Sequence, residues 1–323
     1  NGTAGTFSGS GKVYTLVVTN SGSTTQTVSV AAGVCTDGAG NANTAASLSI
    51  QIDRTAPTLN INTQLTNPTE VVSTYMDNNY VNSIPGADGM MRYGAFKGQK
   101  FSILVTTTDA NKISSIQYKI SKSNVTANAT NFNNLANVEL SGSASNKAAG
   151  TQTTTFTNRT LSSAGTHYIY VKAVDILGNT SYGKVGIYVY NDMEKFIALC
   201  YNNILGRAPD YTGLTSYTNV ITNILNGGTP PSYNYTGTTD KKIKAIMNTL
   251  YDFYYSDEFK REWLNGKPKS EVVKAFYWGM LRRSPSDADI KSWSSSDLDG
   301  LFVGIGTSAE AQQKFAAYSL STN

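Results

Sequence analysis

Apolar and polar side chains alternate along the chain as far as Tyr190. Val13 to Val18, Thr27 to Val30 and Ser47 to Ile52 place an apolar residue at every second position, with Gly, Ser, Asn and Asp between the runs. Period two with turn punctuation predicts half-buried antiparallel strands. The pattern returns in Phe101 to Thr106, Ile116 to Ile120, Thr153 to Phe156, Tyr168 to Val174 and Val185 to Tyr190, a spacing that predicts β-sandwiches. After Asn191 the period becomes three and four. Phe196, Leu199, Cys200 and Ile204 share one face, then Leu214, Tyr217, Ile221 and Ile224, then Ile243, Met247, Leu250 and Tyr254, which predicts helices.

Internal repeats divide the chain. Asp37-Gly38-Ala39-Gly40-Asn41 corresponds to Asp175-Ile176-Leu177-Gly178-Asn179, each copy lying between two alternating runs, and at the same offset Asp53 meets Asn191. A length of 323 residues exceeds one ordinary core. The expected fold class is therefore multidomain, with all-β sandwich modules followed by an all-α domain. The modules span residues 1–56, where the opening strands look missing, and 57–192, where a long insertion runs from about Met76 to Lys100. The helical domain spans residues 193–323.

Asp-x-x-Gly-Asn before a final strand, with Asp53-Arg54-Thr55-Ala56-Pro57 at the junction, resembles the tandem bacterial Ig-like repeats of surface adhesins. The resemblance covers residues 1 to 192 and implies Ig-like β-sandwich modules. Its motifs are short and mark architecture, not activity.

The helical region repeats itself as well. Leu205-Gly206-Arg207-Ala208-Pro209-Asp210 corresponds to Leu281-Arg282-Arg283-Ser284-Pro285-Ser286, and Tyr201 to Tyr277. Each half then reaches Ser-x-Glu, in Ser256 to Glu258 and Ser308 to Glu310. Extra residues in the first half are placed around Gly227 to Thr239. Leu-Gly-Arg-x-x-Asp, a downstream Gly-Leu-x-x-Tyr and Ser-x-Glu-Phe resemble a family of bacterial surface-protein domains of unknown function. The second copy is degenerate, with Arg282 for Gly206, Ser286 for Asp210 and Asp289 for Gly213, so any ligand of the motif is expected at the first copy.

Gly206 reads as a helix-ending glycine and Asp210 as the cap of the next helix. Arg207 can recognise a carboxylate or a sugar, but tying this turn together is the stronger reading. Exposed aromatic faces suit sugar rings, which makes Tyr211, Tyr233 and Tyr235 candidate contacts beside Arg207 and Asp210. Trp263, Trp278 and Trp293 lie at helical spacing and read as core. Asp37, Asn41, Asp53, Asp175 and Asn179 offer hard oxygen ligands, so calcium is a candidate at these positions. Asx turns explain the same residues without a metal, and apart from calcium no cofactor is expected.

Charged residues make up only 15 % of the chain and the net charge is +4, with Thr, Ser, Asn and Gly filling polar positions. That composition suits a secreted or cell-surface bacterial protein. No basic stripe gathers for nucleic acid, and no apolar run is long enough to span a membrane. Cys35 and Cys200 read as small buried hydrophobes. His167 is the single histidine, and no zinc helix, phosphate loop or nucleophile elbow accompanies it. The sequence therefore predicts a non-enzymatic stalk that presents the helical domain to a glycan or an extracellular protein. The alternative is the accessory, substrate-targeting tail of a secreted polysaccharide-active enzyme.

Overall fold

The computed structural model describes residues 2–22, 24–65, 83–85 and 91–321. About 35 % of the chain is strand and 32 % helix, the strands forming small sheets. It is thus a mixed α and β protein, which corrects the expected row of tandem Ig-like sandwiches.

The correction is plainest at the start. β1 (Gly2–Ser10) pairs antiparallel with β2 (Val13–Asn20), and β3 (Thr25–Val30) with β4 (Ala46–Gln51), as two separate two-stranded ribbons. A ribbon of two strands has no second sheet over its apolar face, and Phe7, Val13, Tyr14, Val17, Leu48 and Ile50 are all exposed. Alternation had marked these residues as strands. It says that a strand has two unlike faces, not that anything arrives to cover one of them. Cys35 is exposed as well, while Cys200 is buried and its thiol is pushed up to about 11 by burial.

Nine strands follow among the described residues: β5 (Thr58–Leu65), β6 (Ser83–Pro85), β7 (Met91–Phe96), β8 (Phe101–Asp109), β9 (Ile113–Ser121), β10 (Val138–Lys147), β11 (Gly150–Arg159), β12 (Gly165–Asp175) and β13 (Thr180–Tyr190), with helix α1 (Ala129–Asn133) after β9. They make a three-stranded sheet ordered β11-β8-β5 and a six-stranded sheet ordered β10-β9-β12-β13-β7-β6. The larger sheet is mixed, because β7 runs parallel to β13. Part of the expected insertion therefore joins the sheet as β6 and β7. Residues 76–82 and 86–90 lie outside the described residues.

The core between these sheets is built by period two. β8 turns Phe101, Ile103 and Val105 inward, and they meet Ile116, Tyr118, Ile169, Val171, Ile187 and Val189 from the other sheet. β12 is covered on its second face too, where Tyr168 and Tyr170 pack with Phe132 of α1. That double cover explains why Tyr168 to Val171 is buried at every position.

The helices are α2 (Asp192–Cys200), α3 (Tyr211–Leu225), α4 (Lys241–Tyr254), α5 (Asp257–Phe259), α6 (Lys269–Phe276), α7 (Asp287–Ser292), α8 (Leu298–Gly306) and α9 (Ala309–Ala317). Among the described residues no helix is long and apolar enough to cross a membrane. β13 passes into α2 with one residue between them. That residue, Asn191, closes a capping box with Glu194. Phe96 and Tyr190, the last residues of β7 and β13, belong to the same core as the helices. Each contributes about 1.5–3 kcal/mol by burial.

The two helical repeats share a backbone device. α2 and α6 each continue into a π-helical turn, Tyr201–Leu205 and Tyr277–Leu281. The first turn ends at Gly206 with φ 69°, the second at Arg282 with φ 55°. Glycine adopts this left-handed conformation freely, whereas arginine there costs roughly 1–2 kcal/mol. Asp210 caps α3 and Ser286 caps α7.

Close packing of the two turns depends on Gly279, whose added Cβ would collide with Tyr254 Oη and Ile204. Gly279→Ala is expected to destabilise the protein by about 1–3 kcal/mol through overpacking. Urea denaturation measures this, with Gly38→Ala, set in open space, changing little.

Candidate functional site

Three carboxylates converge at one end of the β core. β8 keeps its inward row through Phe101, Ile103, Val105 and Thr107, and the next residue in phase is Asp109. β12 does the same through Ile169, Val171 and Ala173 to Asp175. Both acids are buried, and Asp53, on the segment leading into β5, joins them. A ligand oxygen from each lies within 4.8 Å of the others.

Hydrogen bonds hold the three in place. Asp175 Oδ1 accepts the amides of Leu177 and Asn179 at 2.8 and 2.9 Å, and Oδ2 accepts Asn179 Nδ2 at 2.8 Å. Asn179 also donates to the carbonyl of Asp53 at 3.1 Å. Asn111 bridges the other two acids, its amide donating to Asp109 Oδ1 at 2.7 Å and its side chain to Asp53 Oδ2. The Thr55 amide, donating to Asp53, holds that carboxyl below its ordinary range. Negative charge gathered on three carboxylates so close is self-repelling, and two of the three are buried from the water that would screen it.

A hard divalent cation would relieve that repulsion. A cation at the centre would lie within about 2.8 Å of each oxygen, slightly beyond the 2.3–2.6 Å of calcium bonds. All the donors are oxygens, which suits calcium over a soft metal. Asp53, Asp109 and Asp175 fit such an ion, with Asn179 and Asn111 orienting them.

The structure brings together three of the five residues nominated for calcium, Asp53, Asp175 and Asn179. Asp37 and Asn41 form the same turn, with Asn41 Nδ2 donating to Asp37 Oδ2 at 3.0 Å, but in the exposed first region and away from this cluster. Asp109 and Asn111 were missed. A usable signal was present, since Asp109 stands in phase with the inward apolar row of β8, where an acid is out of place.

In the helical region Arg207 donates through Nε and Nη2 to the two oxygens of Glu258, at 2.6 and 2.8 Å, and lies 4.7 Å over the Tyr201 ring. Asp210 stands 3.6 Å from its Nη1 and caps α3 through the Gly213 amide. The second copy repeats this, with Arg283 forked onto Glu310 at 2.7 and 2.9 Å, 3.1 Å from Asp289 and over Tyr277. Hydrogen bonding to Arg207 lowers the Glu258 carboxyl and raises the guanidinium. These pairs are partly exposed and worth on the order of 1 kcal/mol or less each. They specify the turn.

Tyr211 is 42 % exposed at the start of α3. Tyr233 and Tyr235 are half-buried and pack on the helical core. Tyr233 stacks on Tyr251 at 5.1 Å and meets the edge of Phe302, while Asn248 Oδ1 accepts the amides of Ser232 and Tyr233. Their loop is thus anchored inward. Trp263 and Trp278 are buried, and Trp293 donates to Tyr277 Oη at 3.1 Å.

His167 is wholly buried. Nδ1 bonds the Gly165 carbonyl at 3.0 Å, while Ser163 Oγ and Glu139 Oε1 share Nε2 at 3.0 and 3.2 Å. In a hydrolytic triad the carboxylate orients the ring from the nitrogen opposite the serine. Here a backbone carbonyl holds that place and the acid competes with the serine.

No known family model matches the chain, and no curated protein matches it in sequence. Solved structures with distant likeness include a catalytically inactive OgpA from Akkermansia muciniphila in complex with an O-glycopeptide, at 10 % identity over 43 % of this chain and 30 % of that one, with a TM-score of 0.25. The sporulation control protein Spo0M from Bacillus subtilis matches at 14 % over 45 % and 55 %, TM-score 0.25. The bacterial hydrophobin BslA matches at 12 % over 41 % and 95 %, TM-score 0.21. The chain spans less than two thirds of the length of the first two. Scores this low carry no functional reading.

Calcium is expected to raise the thermal midpoint by several degrees at saturating concentration, since ligand at a hundredfold over Kd adds about 2.7 kcal/mol. Asp109→Asn should abolish the calcium response while leaving the metal-free protein at least as stable, because one repelling charge is gone. Differential scanning calorimetry with and without EGTA checks both.

Burial, opposed by Glu139, depresses the His167 pKa, with Lys122 adding to the depression. The unfolded chain then binds the extra proton first, so the contribution is complete above about pH 6.5 and is lost as pH falls below it. Denaturation between pH 7 and pH 5 should show falling stability, and His167→Gln should flatten that slope.

Proposed function

We propose that this is a non-catalytic secreted or cell-surface protein whose β region holds the helical region for binding to a glycan or an extracellular protein. The observation that carries the reading is the splice between them. Tyr190 and Phe96 enter the helical core, Asn191 caps α2, Tyr188 donates to Glu194 at 2.6 Å and Lys97 meets Asp192 at 3.3 Å. A flexible linker would let the helical region tumble, whereas a shared core fixes its orientation.

Calcium at Asp53, Asp109 and Asp175 adds to this role. It would pin the segment entering β5 to the ends of β8 and β12, stiffening the approach from the exposed ribbons. The low charge and the Thr, Ser and Asn surface of the strands suit an extracellular setting, and the resemblance of residues 193 to 323 to bacterial surface domains points the same way.

The test is a glycan array and an extracellular-protein array probed with the whole chain, with the bound material analysed for cleavage. Reproducible binding to one class, no cleavage, and retention of binding after deletion of residues 1 to 50 are expected. Silence on both arrays, or turnover of the bound material, would sink the reading.

A further inference from the structure

A cavity of about 340 Å³ opens between α2 and α9. α2 contributes Lys195, Phe196 and Leu199, and α9 with the residue after it contributes Lys314 and Tyr318, in each case residues four apart facing one way. Arg282, which ends the π-helical turn of the second repeat, closes the wall. Three cations thus stand against one acid of the lining, Asp192, which is engaged by Lys97.

Arg282 differs from its neighbours in the same motif. Arg207 and Arg283 each hold two acids, whereas no carboxylate among the described residues pairs with Arg282. Its Nε donates to Tyr318 Oη at 2.7 Å, and Nη1 to the carbonyls of Leu199 and Trp278 at 3.0 and 3.4 Å. Nη2 reaches the Cys200 sulfur at 4.0 Å, a weak acceptor at long range. Those partners satisfy hydrogens and leave the positive charge without an anion.

A second observation is independent of charge. The first repeat places Gly206 at this left-handed position, and the second places Arg282 there at φ 55°. A bulky residue held in strained backbone where glycine would serve is a feature that functional sites retain. The apolar wall is the third part. Phe196 meets Tyr318 at 5.1 Å between ring centres and, buried with Leu199, backs it from behind, so the half-buried Tyr318 ring offers the face for the C–H side of a sugar.

We propose that this cavity binds the carboxylate of an acidic sugar, a uronic or sialic acid residue of a glycan. The carboxylate pairs with Arg282, Lys314 at the mouth adds positive potential, and the sugar ring lies on Tyr318. The volume is at the small end of ligand sites and suits a single ring. The inference rests on the glycan-binding reading and names the sugar class and the place.

Calorimetric titration of the whole chain with glucuronate, galacturonate and N-acetylneuraminate, against the amide of each and acetate, tests it. Saturable binding of at least one acid is expected, weaker by roughly tenfold or more for its neutral amide and falling with salt. Lys314→Gln, on an exposed position, should weaken binding severalfold with little change in the thermal midpoint, while Lys12→Gln removes the same charge from the β1–β2 ribbon and should leave it alone. Arg282→Gly should abolish binding, with glycine accommodated as it is at Gly206. Equal binding of acid and amide, equal effects of the two lysine variants, or acetate binding as well as the sugar acids would overturn the proposal. A positive glycan array with no titratable sugar acid would overturn this site and leave the broader adhesive reading standing.

Discussion

Strand β13 ends at Tyr190 and helix α2 begins at Asp192, and the C-terminal architecture depends on that join. A strand and a helix this close cannot move separately, so the end of the six-stranded sheet must serve as one wall of the helical core. Tyr190 and Phe96 do this from neighbouring parallel strands. Asn191 meets the requirement of the helix start, accepting the Glu194 amide while Glu194 accepts its own. Capping and burial together turn a chain junction into a packed interface.

The opposite end of the same β core shows what happens when the inward row meets a charge. Period two carries Asp109 and Asp175 to the faces that Thr107 and Ala173 occupy one pair of residues earlier. Facing sheets then bring the acids together with Asp53. Asx-turn hydrogen bonds satisfy the Asp175 oxygens, and Asp37 forms the same turn through the same bonds. The convergence of three acids, not the turn, distinguishes the buried site.

The helical region uses one device twice and then varies it. Tyrosine, arginine and two acids tie the turn in both copies, through Tyr201, Arg207, Asp210 and Glu258 and through Tyr277, Arg283, Asp289 and Glu310. Asp210 and Asp289 reach the same role from different positions: Ser286 takes over the cap, and Asp289, at the place of Gly213, closes the capping box while also accepting from Arg283. The degenerate copy therefore preserves the turn. It also carries the departure at Arg282 that the first copy lacks.

Local periodicity determined a good deal by itself. The strands of the β region, the switch to helix after Asn191, the cap at Asp210 and the double turn were all legible, because each depends on residues within a few positions of one another. What covers a strand depends on residues far away, so tandem Ig-like sandwiches were read where two ribbons stand bare. Tyr233 and Tyr235 read as an open contact loop for the same reason, and only the packing of Tyr251 and Phe302 against Tyr233 turned that loop inward. Arg282 looked like a lost glycine until α2 and α9 were placed around it. Asp53, Asp109 and Asp175 became one site only when two sheets faced each other, since charges far apart along the chain interact through space and not through sequence.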